Sequence, residues 1–148
     1  MSARMNYYAA APEAMKAMGA LEAAVQQLAL PRALVELIRV RVSQINGCAY
    51  CLNLHGPDAR KAGVSQQKLD VLCAWRESPA FDPRERAALA WAESLTRLEA
   101  TGAPDADYAA LEAVFDARER VDLTLVITTI NAWNRFAVGF RSQHPVAG

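Results

Sequence analysis

The 148-residue chain is predicted to be all-α, a single-domain bundle of about six to seven helices. Three observations carry that prediction. About one residue in five is alanine, the strongest helix former and small enough to let helices approach closely. Apolar residues recur three or four positions apart through most of the chain, the period of a helix with one buried face. Helix-start signals stand before several of these runs, and the one stretch with strand character has no partner strand elsewhere.

Residues 12 to 30 open with Pro12 and Glu13 and place Met15, Met18, Leu21, Val25 and Leu28 on one side of a helix. The preceding arm, Met1 to Ala11 with Tyr7 and Tyr8, packs either on this domain or on a neighbouring subunit. A second helix is expected to take Pro31 as its first residue and to run through Leu34, Leu37, Ile38, Val42 and Ile45 to a break at Asn46-Gly47. Glu36 falls in its middle, where local sequence reads it as a solvated carboxylate or an ion-pair partner of Arg39 or Arg41.

A third helix carries Cys48 through about Arg60 and ends near Gly63, with Pro57 expected to kink or interrupt it. Ser65 caps a fourth, containing Leu69, Leu72, Cys73 and Trp75 and ending before Ser78-Pro79; Cys73 reads as a buried, inert thiol on its apolar side. Asp82-Pro83-Arg84-Glu85 is a capping box, and the helix after it carries Leu89, Trp91, Ala92, Leu95 and Leu98 to a stop at Thr101-Gly102. Asp105 or Asp107 opens the next, with Tyr108, Leu111, Val114 and Phe115 toward the core. Arg118 to Arg141 is read as a buried helix despite its β-branched run Val126-Ile127-Thr128-Thr129-Ile130, because Asp116-Ala117-Arg118-Glu119 is a second capping box.

Sixteen Lys+Arg balance sixteen Asp+Glu, so no general attraction for nucleic acid or an anionic membrane is expected. With no secretory leader and no apolar run long enough to span a bilayer, the expected location is cytoplasmic. In that reducing compartment three cysteines do not make a structural disulfide framework, and a close pair points to redox chemistry or a metal.

That pair is Cys48-Ala49-Tyr50-Cys51, followed by His55. At about 100° per residue, a regular helix puts Cys48, Cys51 and His55 on one stripe, and amides of its first turn stabilise a thiolate. A free thiol of pKa ~8.5 is roughly 3% ionised at neutral pH, whereas one lowered to about 7 is half ionised. The difference is roughly 2 kcal/mol, within reach of a helix terminus and an imidazole. As a metal site the three residues fall one ligand short of a closed zinc centre, with neither Cys73 nor His144 spaced to complete it; a merely buried pair is the other alternative. Nearest the helix start, Cys48 reads as the more exposed nucleophile.

Glu36, Cys48-Ala49-Tyr50-Cys51 and His55 resemble the motif of the alkyl hydroperoxidase D group of the carboxymuconolactone decarboxylase superfamily. The resemblance is close over about residues 31–63 and extends more loosely over most of the chain, through the late segment Asn131-Ala132-Trp133-Asn134-Arg135. It implies one alkyl hydroperoxidase D-like domain over residues 1–148, a homotrimer or homohexamer, and a dithiol that reduces organic hydroperoxides without a cofactor or metal. By position it implies Cys51 as the peroxidatic thiol, Cys48 as the resolving thiol and His55 with Glu36 as a proton relay. A lipoyl-bearing or thioredoxin-like protein would return the electrons. Tyr50 stands where some members have a histidine. An electron-relay or redox-sensing dithiol is the competing reading; decarboxylation of a lactone acid has no need of the cysteine pair.

Overall fold

Helix α3, Arg32–Ile45, organises the fold because almost none of its surface meets water: Leu34 through Ser43 are all buried. The computed structural model describes residues 1–147. Around α3 lie α4 (Ala49–Lys61), α6 (Pro83–Thr96) and α9 (Ala117–Phe140), with α2 (Pro12–Gln26) against α9 and α8 (Asp105–Glu112) against α6. Shorter pieces complete the described chain: α1 (Tyr7–Ala10), α5 (Gln66–Val71) with a 3₁₀ turn at Leu72–Ala74, and α7 (Leu98–Thr101). The described residues contain no strand, as the sequence implies.

Among the described residues nine α-helices exceed the six or seven expected, because two extra ones are single short turns. α1 forms inside the arm, capped by the Asn6 side chain. α7 is split from α6 at Arg97, whose backbone leaves the helical region. Pro31 proves to be the N-cap rather than the first helical residue, with α3 starting at Arg32. Both capping boxes form with reciprocal hydrogen bonds, Asp82 with Glu85 and Asp116 with Glu119. Each such cap contributes about 1 kcal/mol, enough to fix where a helix starts. In α9 the β-branched run is helical because Leu123, Val126, Ile127 and Ile130 recur at helical spacing and are all buried.

Three expectations are corrected. Pro57 does not interrupt α4, which is continuous from Ala49 to Lys61. The carbonyl it deprives of a donor belongs to exposed Asn53, so water can take that bond. Cys73 is exposed rather than buried. Beyond Val71 the chain tightens to 3₁₀ geometry, in which Leu72 and Trp75, three apart, stack on the core side and Cys73 turns away. Tyr108, expected in the core, is exposed too, though its ring lies against the edge of Trp91.

Two turns set the position of α4. Gly47, at φ +65°, ends α3 in a Schellman motif: its N–H reaches the carbonyl of Gln44, and the Cys48 N–H that of Ser43. α4 then begins at once, with Cys48 as N-cap, and Gly63 at φ +99° closes its far end in the same way. No helix among the described residues is long and apolar enough to cross a membrane.

Candidate redox active site

The Asn46-Gly47 turn puts both cysteines at the start of α4, against α9. Cys48 and Cys51 are joined as a disulfide, their Cα atoms 5.3 Å apart, and the Cys51 N–H donates to Cys48 Sγ at 3.2 Å. The expectation that Cys48 is the more exposed thiol fails: it is 1% exposed and Cys51 4%. The sulfurs pack with Ala137 of α9 in a small apolar cluster, and α9 covers the side of the helix start that sequence alone left open.

His55 lies one turn beyond Cys51 and is also buried. Its Nδ1 bonds Glu36 Oε2 at 3.0 Å. Glu36, read locally as a solvated carboxylate or an ion-pair partner, is 0% exposed; of the cations considered for it, Arg39 is the partner and Arg41 is not. Glu36 Oε1 accepts from Arg39 Nη1 at 3.1 Å and meets Arg32 Nη2 at 2.9 Å. Burial pushes the Glu36 carboxyl up, but the His55 hydrogen bond and the charges of His55, Arg39 and Arg32 outweigh it and hold the carboxyl below its usual range. An ionised Glu36 is acceptor-only, so Nδ1 of His55 is the donor, and in the neutral ring Nε2 keeps its lone pair for a proton.

The line of charges continues through a residue the sequence gave no reason to single out. Arg39 Nη2 donates to Glu22 Oε1 on α2 at 2.5 Å, and Trp133 Nε1 donates to Glu22 Oε2 at 3.2 Å. Glu22, Arg39, Glu36 and His55 are therefore one hydrogen-bonded chain crossing three helices. Locally Glu22 pairs with Gln26, which donates to Glu22 Oε1 at 2.9 Å; the partners that tie Glu22 to the site come from α3 and α9, beyond the reach of local sequence. Arg41, by contrast, turns to Glu93 on α6.

A cavity of about 210 Å³ opens beside this line. Cys51 and His55 form part of its wall with Glu22, Trp133, Tyr7 and Tyr8, whereas Cys48 does not. Tyr50 lines it as well. Glu36, His55 and Asp58 can bring ligand atoms within 4.8 Å of one another. They are poorly suited to a cation, because two guanidinium groups already contact Glu36.

Asn131 and Asn134 link helices near the site. Asn46 Nδ2 donates to Oδ1 of both at 2.9 Å, Asn134 Nδ2 to Ser43 Oγ at 3.1 Å, and Asn131 Nδ2 to Thr96 Oγ1 at 3.0 Å. This network ties the turn before Cys48 to α9, and α9 to α6. His144 is half-buried in the C-terminal tail, where its Nδ1 lies 2.9 Å from the Pro145 carbonyl oxygen, and it does not line the cavity.

An all-helical fold holding a buried Cys-x-x-Cys disulfide beside a carboxylate-bound histidine fits a redox role. The chain belongs to the carboxymuconolactone decarboxylase family, whose model matches residues 7–94, and within that superfamily it is an alkyl hydroperoxidase D-like member. It is 42% identical to the uncharacterized protein YdfG of Bacillus subtilis over 143 residues, 97% of each chain. Its fold superposes with a TM-score of 0.96, at 46% identity, on a protein of unknown function from Agrobacterium tumefaciens suggested to be the antioxidant defence protein AhpD. That match covers 99% of this chain and all of the other. The debrominase Bmp8 shares the fold at a TM-score of 0.81 and 21% identity, over 91% of this chain and 73% of its own.

Proposed function

We propose that the protein is a thiol-dependent peroxidase that reduces organic hydroperoxides through a Cys48/Cys51 dithiol–disulfide cycle. The observation that carries this reading is that Cys51, and not Cys48, opens onto the cavity, beside a histidine whose far nitrogen is held by a buried carboxylate. In the reduced protein His55 takes the Cys51 proton, and the thiolate attacks the outer peroxide oxygen. The O–O bond breaks, the sulfur is oxidised by two electrons, and the alkoxide leaves as alcohol with the proton held on His55. Cys48 then displaces hydroxide from the Cys51 sulfenic acid; the hydroxide takes up the Cys48 proton and leaves as water, and the disulfide forms. An external dithiol, from a lipoyl-bearing or thioredoxin-like protein, returns two electrons and two protons.

The cavity of about 210 Å³ onto which Cys51 opens gives a small-molecule oxidant room beside the thiol, which supports the peroxidase over the electron-relay alternative. The test is reduced protein mixed anaerobically with cumene hydroperoxide, following thiol loss and alcohol release. Cys51→Ser is expected to lose peroxide consumption by at least about 10³-fold. Cys48→Ser is expected to react once and stop as a sulfenic acid that dimedone traps. Wild-type consumption in Cys51→Ser would refute the assignment, and a wild-type disulfide formed without turnover, even with both kinds of donor, would favour the relay.

Assembly as a homotrimer or homohexamer belongs to the same reading, supported by apolar side chains that α9 leaves exposed, Val121 and Val138 among them. Sedimentation velocity is expected to show no monomer at micromolar concentration; a monomeric boundary would exclude it.

A further inference from the structure

The peroxide cycle uses Cys51 and His55 but leaves the rest of the cavity wall without a task. Much of that wall comes from the N-terminal arm. The arm is fastened to the far end of the chain: Arg4 N–H donates to Phe140 O at 2.9 Å and Arg4 Nη1 to Gly139 O at 2.8 Å. The Tyr7 hydroxyl pairs with Ser142 Oγ at 3.2 Å, and its ring centroid lies 5.4 Å from Phe136, 5.3 Å from Phe140 and 5.0 Å from Tyr8. These bonds hold Tyr7 and Tyr8 over the cavity, with Trp133 also in its wall and the half-exposed Tyr8, Tyr50 and Leu54 at its mouth.

Four aromatic rings around so small a space favour a flat apolar guest, because rings gain from offset or edge contacts beyond simple burial. The volume of about 210 Å³ is below the range of about 300–1,000 Å³ usual for drug-sized ligands, so the guest is compact. Its charge is restricted too. Among the described residues no lysine or arginine lines the cavity, Glu22 presents a carboxylate to it, and Arg39 lies behind Glu22, engaged with that carboxylate and with Glu36. A substrate carboxylate entering there would find no cation and would face Glu22. Burial, with Tyr7 and Tyr50 nearby, holds the Tyr8 phenol above its ordinary pKa, so the mouth carries a neutral ring.

We propose that the N-terminal arm is a substrate-selecting wall, and that the cavity it closes takes compact, uncharged, ring-bearing organic hydroperoxides in preference to anionic fatty-acid hydroperoxides. Tyr8 is the specificity determinant, its ring covering that of the guest while the peroxide group meets Cys51. This assignment rests on the peroxidase reading for the chemistry, but binding tests it separately.

The binding arm uses the disulfide form of the full chain and the alcohols the reaction would release, followed on the Trp133 indole N–H resonance. Cumyl alcohol is expected to bind about tenfold more tightly than tert-butyl alcohol, and the hydroxy acid from linoleate hydroperoxide is expected not to displace it. Tyr8→Ala should erase the tenfold advantage and Tyr8→Phe should keep it; Tyr8 is 54% exposed, so neither change threatens the fold. The kcat/KM ratio of cumene to tert-butyl hydroperoxide should follow the same pattern. Equal binding of the two neutral alcohols, tighter binding of the hydroxy acid, or an undiminished ring preference in Tyr8→Ala would overturn the assignment. Selective binding without peroxide turnover supports the pocket and refutes the peroxidase; turnover without ring preference does the reverse.

Discussion

Glu36→Gln is expected to slow oxidation of the reduced dithiol by cumene hydroperoxide about 10²-fold, measured by stopped flow. The amide keeps the size of the side chain and can still accept from His55 Nδ1, but it no longer stabilises the imidazolium that the proposed mechanism forms when His55 takes the Cys51 proton. The pH dependence of thiol alkylation should therefore move to higher pH in the variant, because ionising Cys51 then creates a cation with no buried counter-charge. A purely structural role would leave that profile in place. The variant also strips Arg32 and Arg39 of a shared anion, though Arg39 keeps Glu22. Rates unchanged in a folded Glu36→Gln protein would remove the carboxylate from the relay.

Glu93→Leu is expected to damage the fold without altering the chemistry. Glu93 Oε1 accepts from Arg41 Nε at 2.9 Å, Arg41 Nη2 at 2.7 Å and Trp75 Nε1 at 2.9 Å, while Oε2 bonds Arg76. Removing it leaves the buried Arg41 charge without a counter-ion, at a cost of about 3–5 kcal/mol. For a chain of this length that corresponds to a melting temperature roughly 10 °C lower or more. The double variant Arg41→Met/Glu93→Leu should recover much of the loss, because no unpaired charge remains. Peroxide oxidation of the folded single variant is expected to stay at the wild-type rate; a fall matching that of Glu36→Gln would place Glu93 in the redox machinery.

The two glutamates also set the response to acid. For Glu93, burial pushes the carboxyl up and the bonds from Arg76, Trp75 and Arg41 more than offset it, so it too lies below the ordinary value of 4.5. A carboxyl lowered in the folded state stabilises the protein fully above its unfolded pKa, and that contribution disappears as pH falls through the folded value. Stability should hold above about pH 5 and decline below the ordinary carboxylate range, with a shallower decline in Glu93→Leu.

Features governed by short-range rules were legible from the chain alone. Asp82 and Asp116 announce their helices three residues ahead of Glu85 and Glu119, and Asn46-Gly47 marks the break that sets Cys48 at a helix start. His55 follows Cys51 at one turn's spacing, and Glu36 entered through a resemblance that its own neighbours could not supply. What sequence could not show depends on contacts between distant segments. The burial of Cys48 needs α9, the ion pair of Arg39 with Glu22 needs α2, and the Tyr7 wall needs the chain's last helix to come back over its first. Cys73 was misread for a local reason: periodicity assumes 3.6 residues per turn, and the 3₁₀ segment turns in three.

The asparagine clamp around Asn46 bears on how the protein would survive the proposed cycle. A disulfide between residues only three apart closes a very short loop, so on chain-entropy grounds it restrains the unfolded chain by no more than about 2 kcal/mol. In the proposed cycle, loss of that bond at each turnover is therefore a small perturbation, provided something else holds the two cysteines together. Asn46, Asn131, Asn134 and Ser43 provide it through bonds that do not involve sulfur. The reduced protein is therefore expected to keep the backbone of the disulfide form, so that ring closure in the proposed cycle is a reaction between neighbours at high effective molarity rather than a search.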